Sequence, residues 1–270
     1  TDTIFHLGLT YLKLKQYDDA VNYFEQCLKI EPEHIAAING LGVVYKEKSQ
    51  FDKAIDFFKK ALEIRSDFYD TLFNLGSCYT SIHRYQEALN YLLAAQKIKP
   101  DYPELFNELG IFYDATGQFD LALLSYDKAL ELKPDYTLAI YNMSLTQLKV
   151  GQIKEGALNN EYRWELDGFP SPRRTFKTPR WNGEDLTGKK ILIWSEQGIG
   201  DEIQYASIIP EFEHLAQKVV IECAKKLVLI FQWTFPWAEV KESGPVNCEH
   251  YDFYNTFDYQ IPAGSLMRFF

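Results

Sequence analysis

The first half of the chain repeats itself with a period of 34 residues. A glycine recurs at this spacing, with a leucine one residue before it and a tyrosine three residues after it. The glycines are Gly8, Gly42, Gly76 and Gly110. Alanines keep the same register further along each unit, at Ala20, Ala54, Ala88 and Ala122. A fixed period of about 20–50 residues is the signature of stacked supersecondary units, so the sequence predicts an array of similar hairpins.

Each unit has the residue pattern of two closely packed helices. Leu7 and Tyr11 are four residues apart and share one helix face, while Gly8 removes a side chain where a partner helix approaches. A glycine inside a helix costs about 1 kcal/mol relative to alanine, so its recurrence at one register needs a packing reason. Proline lacks an N–H and stops a helix. It closes the units at Pro32, Pro100 and Pro134. We therefore expect antiparallel helix pairs over residues 1–136.

This spacing of Leu-Gly, Tyr, Ala, a large apolar residue, Ala and Pro resembles the tetratricopeptide-repeat family. The resemblance covers four regular repeats in residues 1–136 and a divergent fifth in residues 137–164, where Ser144 and Gly156 replace the expected glycine and alanine. It implies a mainly α fold with an α-solenoid over residues 1–164. It also implies that the first helix of each repeat lines a concave groove, which binds a polypeptide.

The resemblance assigns a set of residues on the first helices to this groove. They are Phe5, Leu9, Asn39, Val43, Lys46, Phe73, Asn74, Ser77, Asn107, Ile111, Asp114, Tyr141 and Asn142. The asparagines fall at two adjacent helix positions, where their amides can bond to an extended peptide backbone. The alternative is that they are polar residues on a wet helix face. The paired basic residues that clamp a C-terminal carboxylate in some relatives are not evident at these positions.

The helical period ends after Trp164, and the composition changes. Residues 165–183 contain prolines, glycines and a basic cluster, which predicts a linker. The cluster consists of Arg173, Arg174, Lys177 and Arg180. A basic segment in an acidic protein is compatible with a phosphate-binding site or with a linker held against the acidic repeats. The second interpretation is the more common one.

Residues 184–270 have the pattern of alternating strands and helices. Short apolar runs at KKILIWSE and KVVIECA predict buried strands, and AEVKE and FDYQIP predict a third and a fourth. Helical patterns near residues 201–216 and 225–234 separate them. This order predicts a parallel sheet and a partial, Rossmann-like α/β domain.

Residues 161–270 contain segments that resemble a second family. The stretch PRWNGEDLTGKKILIWSEQGIGDEIQYASIIP and the terminal FDYQIPAGSL are similar to glycosyltransferase-like domains fused to such repeats in bacterial proteins. Those domains are related to heptosyltransferases and, more distantly, to protein O-GlcNAc transferases. The resemblance implies the N-terminal half of a two-domain enzyme of the GT-B fold, with Glu161, Tyr162, Arg163 and Trp164 packing at the exit from the repeats.

The same resemblance indicates a candidate site at the glycine turn. In heptosyltransferase relatives the aspartate at this turn is the base that deprotonates the acceptor hydroxyl, which makes Asp201 the candidate catalytic residue. Glu196, Gln197, Gly198 and Gly200 would form the ligand loop. The alternative for Asp201 is a helix cap that satisfies free N–H groups. The nucleotide-sugar donor of such enzymes binds mainly on a second domain, so we expect these residues alone to be inactive and to hold no cofactor.

Composition narrows the remaining classes. A formal charge of −10 and a pI near 5.1 argue against nucleic-acid or anionic-membrane binding. The cysteines show no metal-ligand or disulfide spacing and no apolar run is long enough for a membrane span, so we expect no metal and a cytoplasmic protein. Thr1 is not an initiator methionine, which suggests a longer natural protein. Three functions stay open: a protein-binding module, a protein O-glycosyltransferase whose donor half lies elsewhere, and a self-associating scaffold.

Overall fold

The computed structural model describes all 270 residues, which form two compact units. The units are Thr1–Asn142 and Met143–Phe270. The division falls inside the first helix of the divergent fifth repeat, twenty-two residues before the end of the predicted solenoid at residue 164. None of the helices combines the length and the apolar character that crossing a bilayer requires.

The N-terminal unit consists of the four predicted helix pairs and the beginning of a fifth. Its helices are α1 Asp2–Lys13, α2 Tyr17–Ile30, α3 Ile35–Glu47, α4 Phe51–Ile64, α5 Tyr69–Ser81, α6 Tyr85–Ile98, α7 Pro103–Ala115, α8 Phe119–Leu132 and the part of α9 Thr137–Lys149 that precedes Met143. Each of the first four odd-numbered helices packs against the helix that follows it. The prediction of a tetratricopeptide-type solenoid is confirmed for this unit.

The repeated glycines are where two helices of one repeat come closest. A β-carbon on Gly110 would lie 2.4 Å from the ring of Tyr126, and one on Gly42 would lie 2.4 Å from the ring of Phe58. Gly76 has the same relation to Leu92, at 2.6 Å. The large partner residues are themselves buried. Each glycine therefore makes room for one large side chain of the second helix, which is the packing reason that the sequence demanded.

The C-terminal unit contains a small sheet of four parallel strands. The strands are β1 Lys190–Trp194, β2 Lys218–Cys223, β3 Glu239–Glu242 and β4 Tyr259–Pro262. Their order across the sheet is β3-β2-β1-β4, and every neighbouring pair is parallel. All residues of β1 and β2 after the first are buried, as expected for parallel strands covered on both faces. The parallel sheet is thus confirmed.

The helices of this unit are shorter than their sequence pattern suggests. They are α10 Ile153–Asn159, α11 Ile199–Ala206 and α12 Val228–Thr234. The prediction of one helix near residues 201–216 is wrong, because α11 ends at Ala206 and only a 3₁₀ turn, Ile209–Phe212, follows. Pro210 cannot donate an N–H bond and disfavours helical backbone in the residue before it, which accounts for the early end.

The basic segment after Trp164 packs against residues of the C-terminal unit. Thr175 forms a parallel bridge with Asn247, and Arg180 forms one with Gln260 in β4. Arg174 makes an ion pair with Glu222 in β2. The interpretation that the basic cluster is held against the acidic repeats is therefore wrong for Arg174, since its partner carboxylate belongs to the sheet.

Candidate functional site

A cavity of about 370 Å³ opens on the first helices of the N-terminal unit. Its lining combines aromatic, acidic and amide side chains with one leucine. The aromatic residues are Tyr69, Phe73, Tyr102 and Tyr136; the acidic ones are Asp70, Glu104 and Glu108; the others are Asn39, Asn74, Asn107 and Leu138. Most of them belong to the first two turns of α5, α7 and α9 or directly precede these helices, so the cavity is built from equivalent positions of successive repeats.

The tyrosines are placed by the starts of the helices and by basic residues before them. Tyr102 is the N-cap of α7, where Pro103 begins the helix, and Tyr136 directly precedes α9. The Lys99 ammonium lies 4.2 Å from the centre of the Tyr69 ring and 5.1 Å from that of Tyr102. A cation at such a distance is attracted by the ring face, so these contacts stabilise the orientation of the rings.

The carboxylates make the cavity acidic. Asp70 and Glu104 stand in the first turns of α5 and α7, where a negative charge also stabilises a helix start. Burial raises the pKa of Glu108, while the charge of Lys46 and a hydrogen bond with Ser77 lower it less.

The tyrosine hydroxyls respond to the same environment. Burial, followed by the charges of Glu104 and Glu108, raises the pKa of Tyr136 to about 12. Burial and nearby carboxylates also raise the pKa of Tyr102. These phenols therefore stay neutral at physiological pH.

Two buried polar atoms of the cavity residues have no hydrogen-bond partner. They are the Tyr69 hydroxyl and the Oε2 atom of Glu104. Tyr69 is 4% exposed. Most buried polar groups in proteins are paired, and an unpaired one costs free energy, so such a pair at one cavity calls for an explanation.

Side-chain amides form a hydrogen-bonded row across the same helices. Thr71 donates to the Asn39 carbonyl at 3.0 Å, Lys46 donates to that of Asn74 at 2.8 Å, and Asn142 donates to that of Asn107 at 2.9 Å. An amide has one acceptor and two donors, so a single bond leaves capacity for another group. The bonds fix the orientation of the amides and link neighbouring repeats within the unit.

The structure brings together only part of the predicted groove residues. Asn39, Phe73, Asn74 and Asn107 line the cavity. Lys46, Ser77 and Asn142 bond to lining residues. The others do not line it: Phe5, Leu9, Val43, Ile111, Asp114 and Tyr141.

Sequence reasoning missed the tyrosines and carboxylates of the cavity, although a signal for them exists. Phe68, Tyr102 and Tyr136 recur at 34-residue spacing, and Asp70 and Glu104 are also 34 apart. These registers lie at the starts of the first helices, whereas the family resemblance drew attention to later positions.

A second cavity, of about 400 Å³, belongs to the C-terminal unit. It lies at the carboxyl ends of β1 and β4, where Trp194 and Pro262 are among its lining residues. The predicted basic cluster lines it as well, namely Arg173, Arg174, Lys177 and Arg180. No carboxylate residue is among the lining set, although Arg174 and Arg180 pair with Glu222 and Glu161.

The predicted ligand loop does not line this cavity. Glu196, Gln197, Gly198, Gly200 and Asp201 are all absent from its lining. The Asp201 carboxylate accepts a hydrogen bond from the Gly198 N–H at 3.1 Å, which is the geometry of the helix-cap alternative. Gln197 has a left-handed backbone, with φ of 65°.

Glu196 belongs to a buried ion pair. Its carboxylate accepts two hydrogen bonds from Arg163, at 3.0 and 2.7 Å, and one from the Gly264 N–H at 2.8 Å. Both side chains of the pair are fully buried. Burial lowers the pKa of Arg163, but the charges and hydrogen bonds of Glu196 and Glu161 together outweigh burial and hold that pKa above its usual value. That Glu196 lines a ligand crevice stays a prediction, and in this structure Arg163 and the Gly264 N–H hold its carboxylate.

Comparison with protein-family models gives matches in the first half of the chain. Residues 1–67 and 35–101 match one model described as tetratricopeptide repeat, and residues 81–137 match a second model with the same description. The matched residues together span about half of the chain.

A curated relative and two solved structures are similar to this chain. FlbA of Caulobacter vibrioides is 30% identical over 131 residues, which cover 44% of this chain and only 22% of FlbA. A thermophilic repeat protein of Thermus thermophilus, TTC0263, superposes with a TM-score of 0.56 at 22% identity, covering 61% of this chain and 90% of that one. PilF of Pseudomonas aeruginosa superposes with a TM-score of 0.53 at 25% identity. The match covers 60% of this chain and 73% of PilF.

Proposed function

Because this chain belongs to the tetratricopeptide-repeat family, we propose that its N-terminal unit binds a polypeptide segment along the first helices of its repeats. Proteins of this family are interaction modules with peptide-binding grooves. The likeness to TTC0263 supports the same fold for the repeats. Chemistry by this unit is not part of the proposal.

One observation carries this proposal: the row of amides beside the cavity of the N-terminal unit. Asn39, Asn74 and Asn107 line the cavity. The side-chain oxygen of each accepts a hydrogen bond from another side chain, which orients the amide. An extended peptide presents N–H and C=O groups in alternation, and an amide can bond to either. Amides held in place lose little side-chain entropy when they bind.

Peptide selection followed by calorimetry tests the proposal. A library of random dodecapeptides is selected on the full chain, and the Kd of a selected synthetic peptide is measured. Asn107→Ala is expected to weaken binding about tenfold, which corresponds to about 1.4 kcal/mol. Asn90→Ala, a change at an exposed asparagine on α6, is the matched control and is expected to have no effect. Failure to select any peptide, or equal effects of the two substitutions, would contradict the proposal.

A second function is proposed for the C-terminal unit: the acceptor-side half of a GT-B-like glycosyltransferase. What supports it is the strand order β3-β2-β1-β4, with a cavity at the carboxyl ends of β1 and β4. In open parallel sheets of this order, ligands bind outside the carboxyl ends of the strands where the order reverses. In this proposal Asp201 is the candidate base, and the nucleotide-sugar donor binds to residues outside this chain.

Mass spectrometry tests the second function. The natural full-length protein is incubated with cell extract and a panel of nucleotide sugars, and transferred sugar is detected on protein acceptors. Asp201→Asn is expected to abolish transfer with little change in Tm, while Asp252→Asn, at an exposed aspartate of the same unit, retains it. Full activity of Asp201→Asn would show that the carboxylate only caps α11.

A further inference from the structure

We propose that the cavity of the N-terminal unit, lined by Tyr69, Tyr102 and Glu104, binds an arginine side chain of a polypeptide ligand. The inference rests on the proposed function, because it names the chemistry that the groove recognises. The bound group is a cation, opposite in sign to the C-terminal carboxylate that paired basic residues clamp in some relatives.

The charge of the cavity favours a cation. Asp70, Glu104 and Glu108 line the cavity, and no basic residue does. Lys46, whose charge acts on Glu108, donates its hydrogen bond to Asn74. Two or three carboxylates in a partly buried cavity attract a cation more strongly than they would in water, because the effective dielectric constant is lower there.

The aromatic lining of the cavity also favours a cation. The rings of Tyr69 and Tyr102 meet edge to face with centroids 5.1 Å apart, and Phe73 lies 6.1 Å from Tyr69 in a stacked arrangement. Lys99 already lies within cation–π distance of both tyrosines. Ring faces in this cluster thus attract cations within the protein, and Phe73 and Tyr102 line the same cavity as Tyr69.

Two buried oxygen atoms of the cavity residues lack a hydrogen-bond partner. The Oε2 atom of Glu104 accepts only, and the Tyr69 hydroxyl can accept or donate, yet both are buried without a partner. A first-turn carboxylate is ordinary at a helix start, so the acidity of the cavity alone would not indicate a ligand. The helix start does not explain an unpaired oxygen or an unpaired phenol. A ligand with several N–H donors would satisfy both.

These three features together favour arginine over other side chains. A guanidinium is always charged, carries five N–H donors in a planar fork and stacks on aromatic rings. It also loses less hydration than an ammonium when it enters a partly buried site. Lysine has the charge but not the plane, so we expect it to bind more weakly. Citrulline has the shape but not the charge, which makes it the sharpest neutral control.

The test uses a small probe that needs the cavity alone. N-acetyl-arginine N-methylamide and its citrulline analogue are titrated into the ¹⁵N-labelled full chain and followed by NMR. The arginine probe is expected to saturate with a Kd on the order of 1 mM, with shifts centred on the starts of α5 and α7. The citrulline probe is expected to bind at least tenfold more weakly. Equal binding of the two probes, or shifts centred elsewhere, would overturn the inference.

Substitutions make the assignment specific. Glu104→Gln keeps the shape of the side chain and removes its charge. It is expected to weaken binding of the arginine probe at least fivefold. Glu63→Gln, at an exposed position on α4, is the matched control with no expected effect. Tyr69→Phe, which removes only the unpaired hydroxyl, is expected to weaken the probe about twofold to threefold. Unchanged binding to Glu104→Gln would refute the assignment, and a folded spectrum of each variant excludes an effect through unfolding.

The two proposals fail in distinguishable ways. Selected peptides that bind the groove while the arginine probe does not would remove the inference and leave peptide binding intact. An arginine probe that binds while no peptide is selected would support the cavity and contradict polypeptide binding. Enrichment of arginine at one position among selected peptides, lost on Glu104→Gln, would support both.

Discussion

In the N-terminal unit the same contact recurs in every regular repeat, whereas the C-terminal unit depends on contacts that occur once. A glycine of one helix faces a large side chain of the next in each of the four hairpins, as Gly110 faces Tyr126. The C-terminal unit instead contains single buried ion pairs, Arg163 with Glu196 and Arg174 with Glu222. Glu196 and Glu222 of that unit are thus paired with arginines, while the repeats leave carboxylates along an open cavity.

The difference shows two ways in which a sequence can specify a fold. Repeated apolar contacts divide the stability among neighbouring hairpins, so the loss of one is felt mainly in its own repeat. With a buried ion pair, the stability of the unit depends strongly on each of two residues, because removing one residue leaves the charge of the other uncompensated. The repeats thus have spare surface for recognition, and the sheet has little tolerance for change at its ion pairs.

The chain provides a convenient way to observe each unit separately. All five tryptophans lie in the C-terminal unit, at Trp164, Trp181, Trp194, Trp233 and Trp237. Tryptophan fluorescence therefore follows that unit, and circular dichroism at the helical band follows mainly the repeats.

The largest expected effect comes from the buried ion pair. Arg163→Met should lower the free energy of unfolding of the C-terminal unit by about 3–5 kcal/mol, because Glu196 loses its partner inside the protein. Urea titration followed by tryptophan fluorescence measures it. Arg173→Met, at an exposed arginine, is the control. An equal shift of the fluorescence and dichroism transitions would break the comparison, since the units would then unfold together.

The next effect is expected in the repeats. Gly110→Ala should lower the free energy of unfolding of the repeats by about 1–3 kcal/mol, because the β-carbon of the alanine would overlap the Tyr126 ring. Gly200→Ala is the matched control, since no atom lies within 4 Å of the added carbon, and it should be neutral or gain about 0.5 kcal/mol from helix propensity. The dichroism transition reports the first change. A neutral Gly110→Ala would mean that the glycine register has another cause.

A tyrosine-to-phenylalanine substitution should change stability in opposite directions in the two units. Tyr69→Phe removes an unpaired buried hydroxyl and should stabilise the repeats by about 1 kcal/mol. Tyr254→Phe removes a hydroxyl that donates to Glu222 at 2.7 Å and should destabilise the C-terminal unit by about 1.5 kcal/mol. Thermal unfolding with both probes compares them. A loss of stability in Tyr69→Phe would show that its hydroxyl has a partner in solution.

The smallest effect concerns pH. Burial raises the folded-state pKa of Glu108 above its unfolded value, so the folded state holds the proton more tightly. The stabilisation that this proton gives is present below the ordinary glutamate pKa of about 4.3 and is lost as pH rises through the raised value. Glu108→Gln should therefore stabilise the repeats near pH 7 and have little effect near pH 4. Glu63→Gln is the control, and a pH-independent difference would contradict the burial of the charge.

How far the sequence predicted the site depends on the kind of pattern. The glycine and alanine series fixed the helix pairs, because their spacing follows directly from helix packing. The amides were expected in the groove, and Asn39, Asn74 and Asn107 line the cavity. Tyr102 and Glu104 were missed, although each recurs in its register, because a residue at a helix start is normally explained by capping or by the helix dipole.

The C-terminal unit was predicted well at the level of strands and poorly at the level of partners. The apolar runs identified four strands, since buried parallel strands need continuous apolar residues. The partner of Arg163 is 33 residues away in sequence, and that of Arg174 is 48 residues away. No local pattern encodes which carboxylate meets which guanidinium, so Glu196 was assigned to a ligand loop and the basic segment to a linker.

The sequence by itself determined the hairpin array, because the fit of a glycine against a large side chain depends only on residues within one repeat. It also determined the parallel strands through their apolar runs. Only the tertiary structure decided that Tyr69, Tyr102 and Glu104 share a cavity and that Arg163 and Glu196 are buried together. Such charges and rings are placed by the backbone geometry that brings distant segments together, and their energies depend on burial, which no linear pattern contains.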